Sequence, residues 1–243
     1  MYAYVVALWL GERRAAVDGY HTDKFHYLSR HLKFLKDNKI DGLDVALIVL
    51  STDKSAEVEE TKKFIVDNAP YACTVELMVR PNVDGSYGAW HDAVIELIKN
   101  YTVNVPNQGT RYALLLEDDY LPDDKNVMED IVKYMTPKIG YVCQYWDDVE
   151  EFHCGGPIAA IANGMLDLSK AKEILDEKQV IFNLSGERVN LYLPWNQLLF
   201  LSFLRSKYQV YGLNHDYFHP FWTGNGIIKY GTGKRSVISP ICR

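Results

Sequence analysis

The chain has 243 residues, of which 48% are apolar and 24% are charged, and its formal net charge is −6. This length and apolar content suffice for one large α/β domain or two small ones. The acidic balance argues against nucleic acid as a partner, because proteins that bind a phosphate backbone normally carry an excess of basic residues.

Strands and helices are predicted to alternate through the first half of the chain. Short apolar runs that end in polar residues predict strands; they cover residues 3–10, 45–50, 74–79, 112–116 and 140–145. Apolar residues at helical spacing predict the helices between them; these cover residues 22–38, 55–68, 88–100 and 126–135. The alternation predicts an α/β fold with a mostly parallel central sheet flanked by helices.

The pattern changes from residue 146 onward. An acidic, loop-like stretch and a turn precede an apolar stretch at 158–162, and a short helix begins at Asp167 or Ser169. Pro194 suits the start of a further helix over residues 195–206, and 210–213 is a candidate strand. We interpret this half as a continuation of the same domain.

Three carboxylates directly follow the buried strand at 112–116: Glu117, Asp118 and Asp119. Because side chains alternate along a strand, Glu117 and Asp119 can point one way while Asp118 points the other. Two carboxylates on one side form a hard-oxygen site that suits Mg²⁺ or Mn²⁺. The alternative is a solvated turn, but adjacent like charges repel unless a cation or donor compensates them.

The order of these elements resembles nucleotide-sugar glycosyltransferases of the A-type fold (GT-A). The segments that carry the resemblance are ALWLGERR, LIVLSTD, RPNVDGSYGAWHDAV and ALLLEDDYLPD, and the later CGGPIAAIANGMLDLSKAKEIL looks like the acceptor-side strand and helix of that family. The resemblance implies a single Rossmann-like domain over 1–243. Residues 1–145 would bind the nucleotide sugar, and residues 146–243 would form the acceptor side and a C-terminal lid.

The same resemblance implies how the acidic motif would act. The usual family motif is D-x-D, whereas this chain has Glu117-x-Asp119, with a first carboxylate one methylene longer. The motif would hold Mn²⁺ or Mg²⁺ against the donor diphosphate, and the ion would act as a Lewis acid for the leaving nucleoside diphosphate. We expect a uridine-linked donor sugar and a glycan or other hydroxyl acceptor.

Six residues are expected to contact the donor nucleotide or sugar: Leu8, Arg13, Asp53, Asp92, Asp118 and Lys234. By resemblance, Asp53 would bind the uracil or ribose; its alternative role is that of an acid at a helix N-terminus. Lys234 lies in a Gly-rich tail that would fold over the diphosphate, since cations there offset developing charge. Alternatively, the tail is solvated and does not contact the diphosphate.

The chain departs from the family where many inverting members carry an acidic pair at the start of a late helix. Asn196 and Gln197 occupy that place, and neither amide can act as a base. Either the base comes from elsewhere, with Asp147, Asp148 and Glu187 as candidates, or the enzyme is a retaining type that needs no base there. Asn196 or Gln197 could hold a sugar hydroxyl through its amide.

The tail offers two histidines, His215 and His219, as candidate further metal ligands. Retaining members often supply a late histidine to the metal, although the run from residue 215 to 220 does not match their pattern closely. The alternative is that these imidazoles pack among the neighbouring aromatic side chains.

Two other kinds of function remain open at this point. A sugar nucleotidyltransferase should carry a Gly-rich basic loop directly after the first strand; the run from Gly11 to Arg14 has one glycine, which counts against this class. A non-catalytic carbohydrate-binding domain would not require the acidic cluster. We also expect no membrane span and a cytoplasmic location, because the N-terminus is apolar first and basic last, the reverse of a signal peptide.

Overall fold

The computed structural model describes residues 1–10, 23–70, 73–83, 85–101, 109–118, 120–122, 125–145, 152–153, 156–157, 161–177, 209–212 and 218–220. The strands in these ranges are β1 (Tyr2–Leu8), β2 (Leu43–Ser51), β3 (Thr74–Arg80), β4 (Tyr112–Glu117), β5 (Tyr120–Pro122), β6 (Ile139–Tyr145), β7 (Phe152–His153), β8 (Gly156–Pro157), β9 (Ile161–Asp167), β10 (Gln209–Gly212) and β11 (Phe218–Pro220). The helices are α1 (His26–Asp37), α2 (Ser55–Asn68), α3 (Gly85–Asn100), α4 (Val127–Val132) and α5 (Leu168–Glu177).

One seven-stranded sheet forms the centre of the fold, in the order β10-β6-β9-β4-β1-β2-β3. β1 pairs in parallel with β2 and with β4, and β2 pairs in parallel with β3. β9 runs antiparallel between β4 and β6, and β10 pairs in parallel with β6. The predicted α/β fold with a mostly parallel sheet is therefore confirmed.

The strand order reverses between β1 and β4. From β1 the chain proceeds outward to β2 and β3, and it then returns across the sheet to place β4 on the other side of β1. In open α/β sheets the crevice at such a reversal, at the carboxyl ends of the strands, is where ligands bind. A ligand site is therefore expected at the carboxyl ends of β1 and β4.

Side-chain alternation along the strands builds a separate core on each face of the sheet. On one face Val5 and Leu115 pack with the α3 residues Trp90 and Leu97. On the other face the neighbouring residues of β1 and β4 pack with helices α1, α2 and α4. The strands read as continuous apolar runs because both of their faces are covered.

A small second sheet joins the tail of the chain to the segment after the acidic cluster. β11 pairs antiparallel with β5, so that His219 lies opposite Leu121 and Pro220 lies opposite Tyr120. The pairing brings the backbone of residues 218–220 next to the strand that begins at Tyr120. β7 and β8 form a separate antiparallel pair.

Most predicted elements lie within a few residues of the observed ones, and the differences are local. Helix α3 begins at Gly85 rather than at residue 88, and α4 is shorter than predicted. The resemblance implied a strand and a helix in the stretch that holds β9 and α5, but the apolar run at 158–162 overlaps only the start of β9. The helix predicted at 195–206 lies outside the described residues. In the described part of the chain, no helix combines the length and apolar character needed to cross a bilayer.

Candidate functional site

The carboxyl ends of β1 and β4 meet at the strand reversal and are joined there by hydrogen bonds. The backbone N–H of Asp118 donates to the carbonyl of Ala7 at 3.1 Å. The backbone N–H of Trp9 donates to Asp118 Oδ2 at 3.2 Å. Asp118 is 5% exposed, so its carboxylate serves here to hold the two strand ends together. The predicted role of Asp118 in contacting the donor stays a prediction, beside this observed structural one.

Buried side chains from other elements fix the peptide groups that lead into the acidic cluster. Trp90 Nε1 on α3 donates to the carbonyl of Leu116 at 3.1 Å. The backbone N–H of Glu117 donates to Asn163 Oδ1 on β9 at 2.6 Å. Trp90 and Asn163 are both fully buried. Bonds of this kind hold the cluster in one geometry before any ligand arrives, which is the condition for an effective electrostatic site.

The carboxylate of Glu117 points toward helix α3, on the face opposite to that of Asp118. Ser86 Oγ donates to Glu117 Oε1 at 2.7 Å. Ser86 follows Gly85, whose φ of +54° lies in the left-handed region that glycine adopts without strain. The predicted alternation of side chains is thus seen for these two carboxylates. Asp119 lies outside the described residues.

A second polar cluster surrounds Arg80 at the carboxyl end of β3. Arg80 Nε donates to Asp92 Oδ2 at 2.7 Å, and Nη1 donates to the carbonyl of Val83 at 2.6 Å. Arg80 is 6% exposed, so its charge is removed from water and needs these partners. Gly88 makes room for it, because a Cβ built at Gly88 would lie 2.5 Å from Arg80 Nη2.

Asp92 was predicted to contact the nucleotide or sugar. In the structure its carboxylate is hydrogen-bonded to Arg80 and to His91. Burial alone would raise the pKa of Asp92, but hydrogen bonds from His91 and Arg80 outweigh burial and lower it. The His91 Nδ1 to Asp92 Oδ1 distance is 2.8 Å. Asp92 keeps 31% of its side chain exposed to solvent although it pairs with Arg80.

Asp53 lies at the carboxyl end of β2 and is exposed. The residue before it, Thr52, is buried and is held by a bond from its backbone N–H to the carbonyl of Arg80 at 3.0 Å. Thr52 Oγ1 also donates to Glu57 on α2 at 2.5 Å. Asp53 therefore projects from a fixed strand end toward the same edge as the acidic cluster.

Leu8 and Trp9 have opposite environments at the end of β1. Leu8 was predicted to contact the donor, but it is 1% exposed and packs in the core on the α1 face, where its side chain cannot reach a ligand. Trp9 is 41% exposed. The residue that offers an apolar surface at the strand reversal is Trp9, which sequence reasoning did not select.

The Glu117 carboxylate is a suitable ligand for a divalent cation, but a metal site needs further ligands beside it. In the described residues, Glu117 Oε2 has no hydrogen-bond or ion-pair partner, and a carboxylate oxygen is what Mg²⁺ or Mn²⁺ prefers. No group of three or more potential ligands occurs among the residues that the structure describes. The predicted ligand His219 belongs to β11 and lies opposite Leu121 of β5. Leu121 follows the three acidic residues by two positions in the sequence.

The remaining predicted site residues lie outside the described ranges. They are Arg13, Asp119, Asp148, Glu187, Asn196, His215 and Lys234. Their roles stay predictions.

Sequence reasoning also missed the polar residues that organise this edge: the buried His31, Arg80 and Asn163, and the partly buried Ser86. A signal was present for His31, which falls on the apolar face of α1 between Leu28 and Leu32, where a polar side chain needs a partner. For Asn163 the signal was weaker, since an Asn-Gly pair more often indicates a turn than the middle of a central strand.

Comparison with known proteins gives structural likeness alone. No family model matches the chain, and no curated protein sequence matches it. A cytidylyltransferase from Leptospira borgpetersenii serovar Hardjo-bovis aligns with 89% of this chain and 76% of its own, at 11% identity and a TM-score of 0.48.

Two glycosyltransferase structures show a similar degree of likeness. The glycosyltransferase GlyE of Streptococcus pneumoniae TIGR4 aligns with 86% of this chain at 10% identity and a TM-score of 0.47, and this chain spans 45% of its length. Mouse xyloside xylosyltransferase 1 aligns with 88% of this chain and 85% of its own, at 11% identity and a TM-score of 0.46. At TM-scores below 0.5, these likenesses do not distinguish one transferase chemistry from another.

Proposed function

We propose that this protein is a metal-dependent glycosyltransferase that uses a nucleoside-diphosphate sugar, with uridine as the expected base. The observation that carries the proposal is the acidic cluster at the strand reversal, whose peptide groups are fixed by side chains from α3 and β9. The Leu116 carbonyl accepts from Trp90 and the Glu117 N–H donates to Asn163, so the backbone that carries Glu117 is held in one orientation. Such an arrangement suits a charged ligand.

The chain's own residues would divide the work of binding the donor. Trp9 would present its indole to the nucleobase, Asp53 would accept a hydrogen bond from the base or ribose, and Glu117 would be a ligand of the divalent ion. When bound, that ion would supply positive charge against the leaving diphosphate. Ser86 holds one oxygen of Glu117, so that the other is directed to the ion.

Acceptor activation is assigned to the second half of the chain. Asp148 and Glu187 are the candidates for a base, and Asn196 is the candidate for holding a sugar hydroxyl. The retaining alternative, which needs no base at that place, stays open, and His215 and His219 are the candidates for further metal ligands. We propose a glycan or another hydroxyl compound as the acceptor.

The experiment that tests the proposal is calorimetric titration of UDP with and without Mn²⁺. We expect binding that requires Mn²⁺ in the wild type and that is weakened at least about tenfold in Glu117→Gln, because the substitution removes the charge of a metal ligand. Glu129→Gln is the matched control, since Glu129 is an exposed carboxylate on α4. Absence of binding to UDP, GDP and dTDP alike would overturn the proposal.

Nucleotidyl transfer is the second candidate, and the connection between β1 and α1 favours it. This connection covers residues 9–25, which is long for an α/β unit, and long connections in compact domains are often functional. It contains Arg13 and Arg14, whose charges suit a triphosphate. Release of pyrophosphate from UTP or CTP in the presence of a sugar phosphate would favour this candidate over glycosyl transfer.

A further inference from the structure

The helix α1 carries a histidine in the middle of its buried face. His31 is 0% exposed, and Leu28 and Leu32 of the same face belong to the core cluster. Its ring does not contact solvent, and it lies far in sequence from the acidic cluster. A leucine at this position would continue the apolar face, so the imidazole needs a physical reason other than packing.

Both ring nitrogens of His31 have specific partners. Nε2 lies 2.9 Å from the carbonyl oxygen of Asp118, and Nδ1 lies 2.6 Å from the hydroxyl of Tyr4. A carbonyl oxygen can only accept, so Nε2 carries the proton and donates it. The neutral ring then accepts at Nδ1 from the Tyr4 hydroxyl, so the partners fix the tautomer.

The chain of bonds runs through the core to one particular peptide group. Tyr4 is 0% exposed, and burial raises the pKa of its phenol well above the ordinary value, which keeps it a donor. Buried polar groups cost free energy unless they are paired, and paired ones specify a unique orientation. The orientation specified here is that of the Asp118 carbonyl, directly after Glu117 and directly before Asp119.

We propose that His31 is a positioning residue for the nucleotide site: through its bond to the Asp118 carbonyl it sets the geometry of the acidic cluster. The expected effect on nucleotide affinity rests on the proposed function. The effect on the orientation of the Asp118 carbonyl rests on the observed hydrogen bonds. The ring does not touch the ligand. It holds the Asp118 carbonyl, one residue after the Glu117 carboxylate.

Two amide variants separate the two bonds of the ring. In His31→Gln the side-chain amide reaches the place of Nε2 and can still donate to the Asp118 carbonyl. In His31→Asn the shorter amide reaches only the place of Nδ1, so the bond to Asp118 is lost while contact with Tyr4 is retained. Both variants replace an aromatic ring by an amide, so they control for lost packing.

Two readouts are measured on both variants: hydrogen exchange without ligand at the amide of the peptide group that contains the Asp118 carbonyl, and calorimetric affinity for UDP with Mn²⁺. We expect His31→Asn to exchange about tenfold faster and to bind about tenfold more weakly than His31→Gln, the size of effect that one lost hydrogen bond produces. Melting temperatures should fall equally in the two variants. Equal exchange and equal affinity in the two variants would overturn the proposal.

The exchange measurement separates this inference from the proposed function. If the wild type binds no nucleotide, the proposed function fails, while exchange at the same amide still tests the link from His31 to the acidic cluster. If either His31 variant fails to fold, Tyr4→Phe replaces the pair, because it removes one hydroxyl and leaves His31 without the donor to Nδ1. Exchange at that amide that is unchanged in Tyr4→Phe would then count against the proposal.

Discussion

Arg80 and Asp92 form an ion pair that ties the end of β3 to helix α3, with Arg80 Nε 2.7 Å from Asp92 Oδ2. Arg80 has 6% of its side chain exposed and Asp92 has 31%. The guanidinium is therefore almost fully buried, and it depends on a carboxylate that is partly exposed. The effect of pH and of mutation on the free energy of unfolding can be predicted from this difference.

Asp92→Asn should destabilise the protein by about 1–3 kcal/mol at pH 7, since it leaves the guanidinium with a weaker acceptor. The pKa of Asp92 is lowered in the folded state, so its contribution is present above the ordinary value of 3.8 and is lost as the pH falls through the lower folded value. The difference between wild type and variant should therefore shrink below about pH 4. Urea unfolding at several pH values measures it.

Asp37→Asn is the control for this experiment. Asp37 pairs with Lys33 on the exposed surface of α1, with 51% of its side chain exposed. Its substitution should change the free energy of unfolding by no more than about 0.5 kcal/mol. A difference between wild type and Asp92→Asn that stayed constant down to pH 2 would contradict the assignment.

Gly88→Ala should destabilise the protein, although alanine normally favours a helix over glycine by about 1 kcal/mol. The added Cβ would lie 2.5 Å from Arg80 Nη2 and 2.7 Å from the carbonyl oxygen of Val83. Overpacking of this kind costs about 1–3 kcal/mol. Thermal unfolding measures the change.

A double-mutant cycle identifies the cause of that change. Arg80→Ala removes one of the two groups that the new Cβ would meet, so Gly88→Ala should cost less in that background than in the wild type. Equal costs in both backgrounds would mean that Arg80 is not the group that excludes a side chain at position 88.

Trp9→Leu should weaken UDP binding by roughly 10- to 100-fold, which corresponds to the 1–3 kcal/mol that stacking of a base on an aromatic side chain contributes. Trp9 is 41% exposed, so the free energy of unfolding of the variant is measured as well, and binding is compared at a temperature where both proteins are folded. UDP should also quench tryptophan fluorescence in the wild type and not in the variant. Val66→Ala, at an exposed position on α2, should leave the affinity unchanged.

Ser86→Ala should raise the Mn²⁺ concentration needed for half-maximal UDP binding by about tenfold, because the Glu117 carboxylate loses the donor that holds Oε1. Ser86→Thr keeps the hydroxyl and should restore most of the affinity. Titration of Mn²⁺ at fixed UDP concentration is the measurement. Equal Mn²⁺ requirements in the two variants would show that the hydroxyl does not orient the carboxylate.

The frame of the fold could be predicted from the sequence because its information is local. β1, β2 and β4 are apolar runs buried on both faces, and β2 and β4 end where polar residues begin. The cluster at Glu117 could be predicted for the same reason, since it directly follows such a run. The direction of a side chain along a strand also depends only on its sequence neighbours, and the opposite directions of Glu117 and Asp118 follow from this alternation.

The rest depended on contacts between distant parts of the chain. β9 contains Asn163 and Gly164, which weaken any strand pattern, and it is a strand because β4 and β6 pair with it on both sides. The Glu117 N–H donates to the amide oxygen of Asn163, whereas its Nδ2 has no partner among the described residues. Likewise, periodicity places His31 on a buried face, but only the fold shows that the Asp118 carbonyl is there to accept its proton.

The position of β10 has a consequence for synthesis of the protein. The sheet's edge next to β6 is covered by β10, a strand from residues 209–212, whereas the chain has already laid down β6 by residue 145. A nascent or truncated chain that stops before residue 209 therefore presents the backbone of β6 unpaired on that side. Exposed edges of this kind pair with other chains, so β10, the last of the seven central strands to be synthesised, covers an edge of β6 that would otherwise favour aggregation.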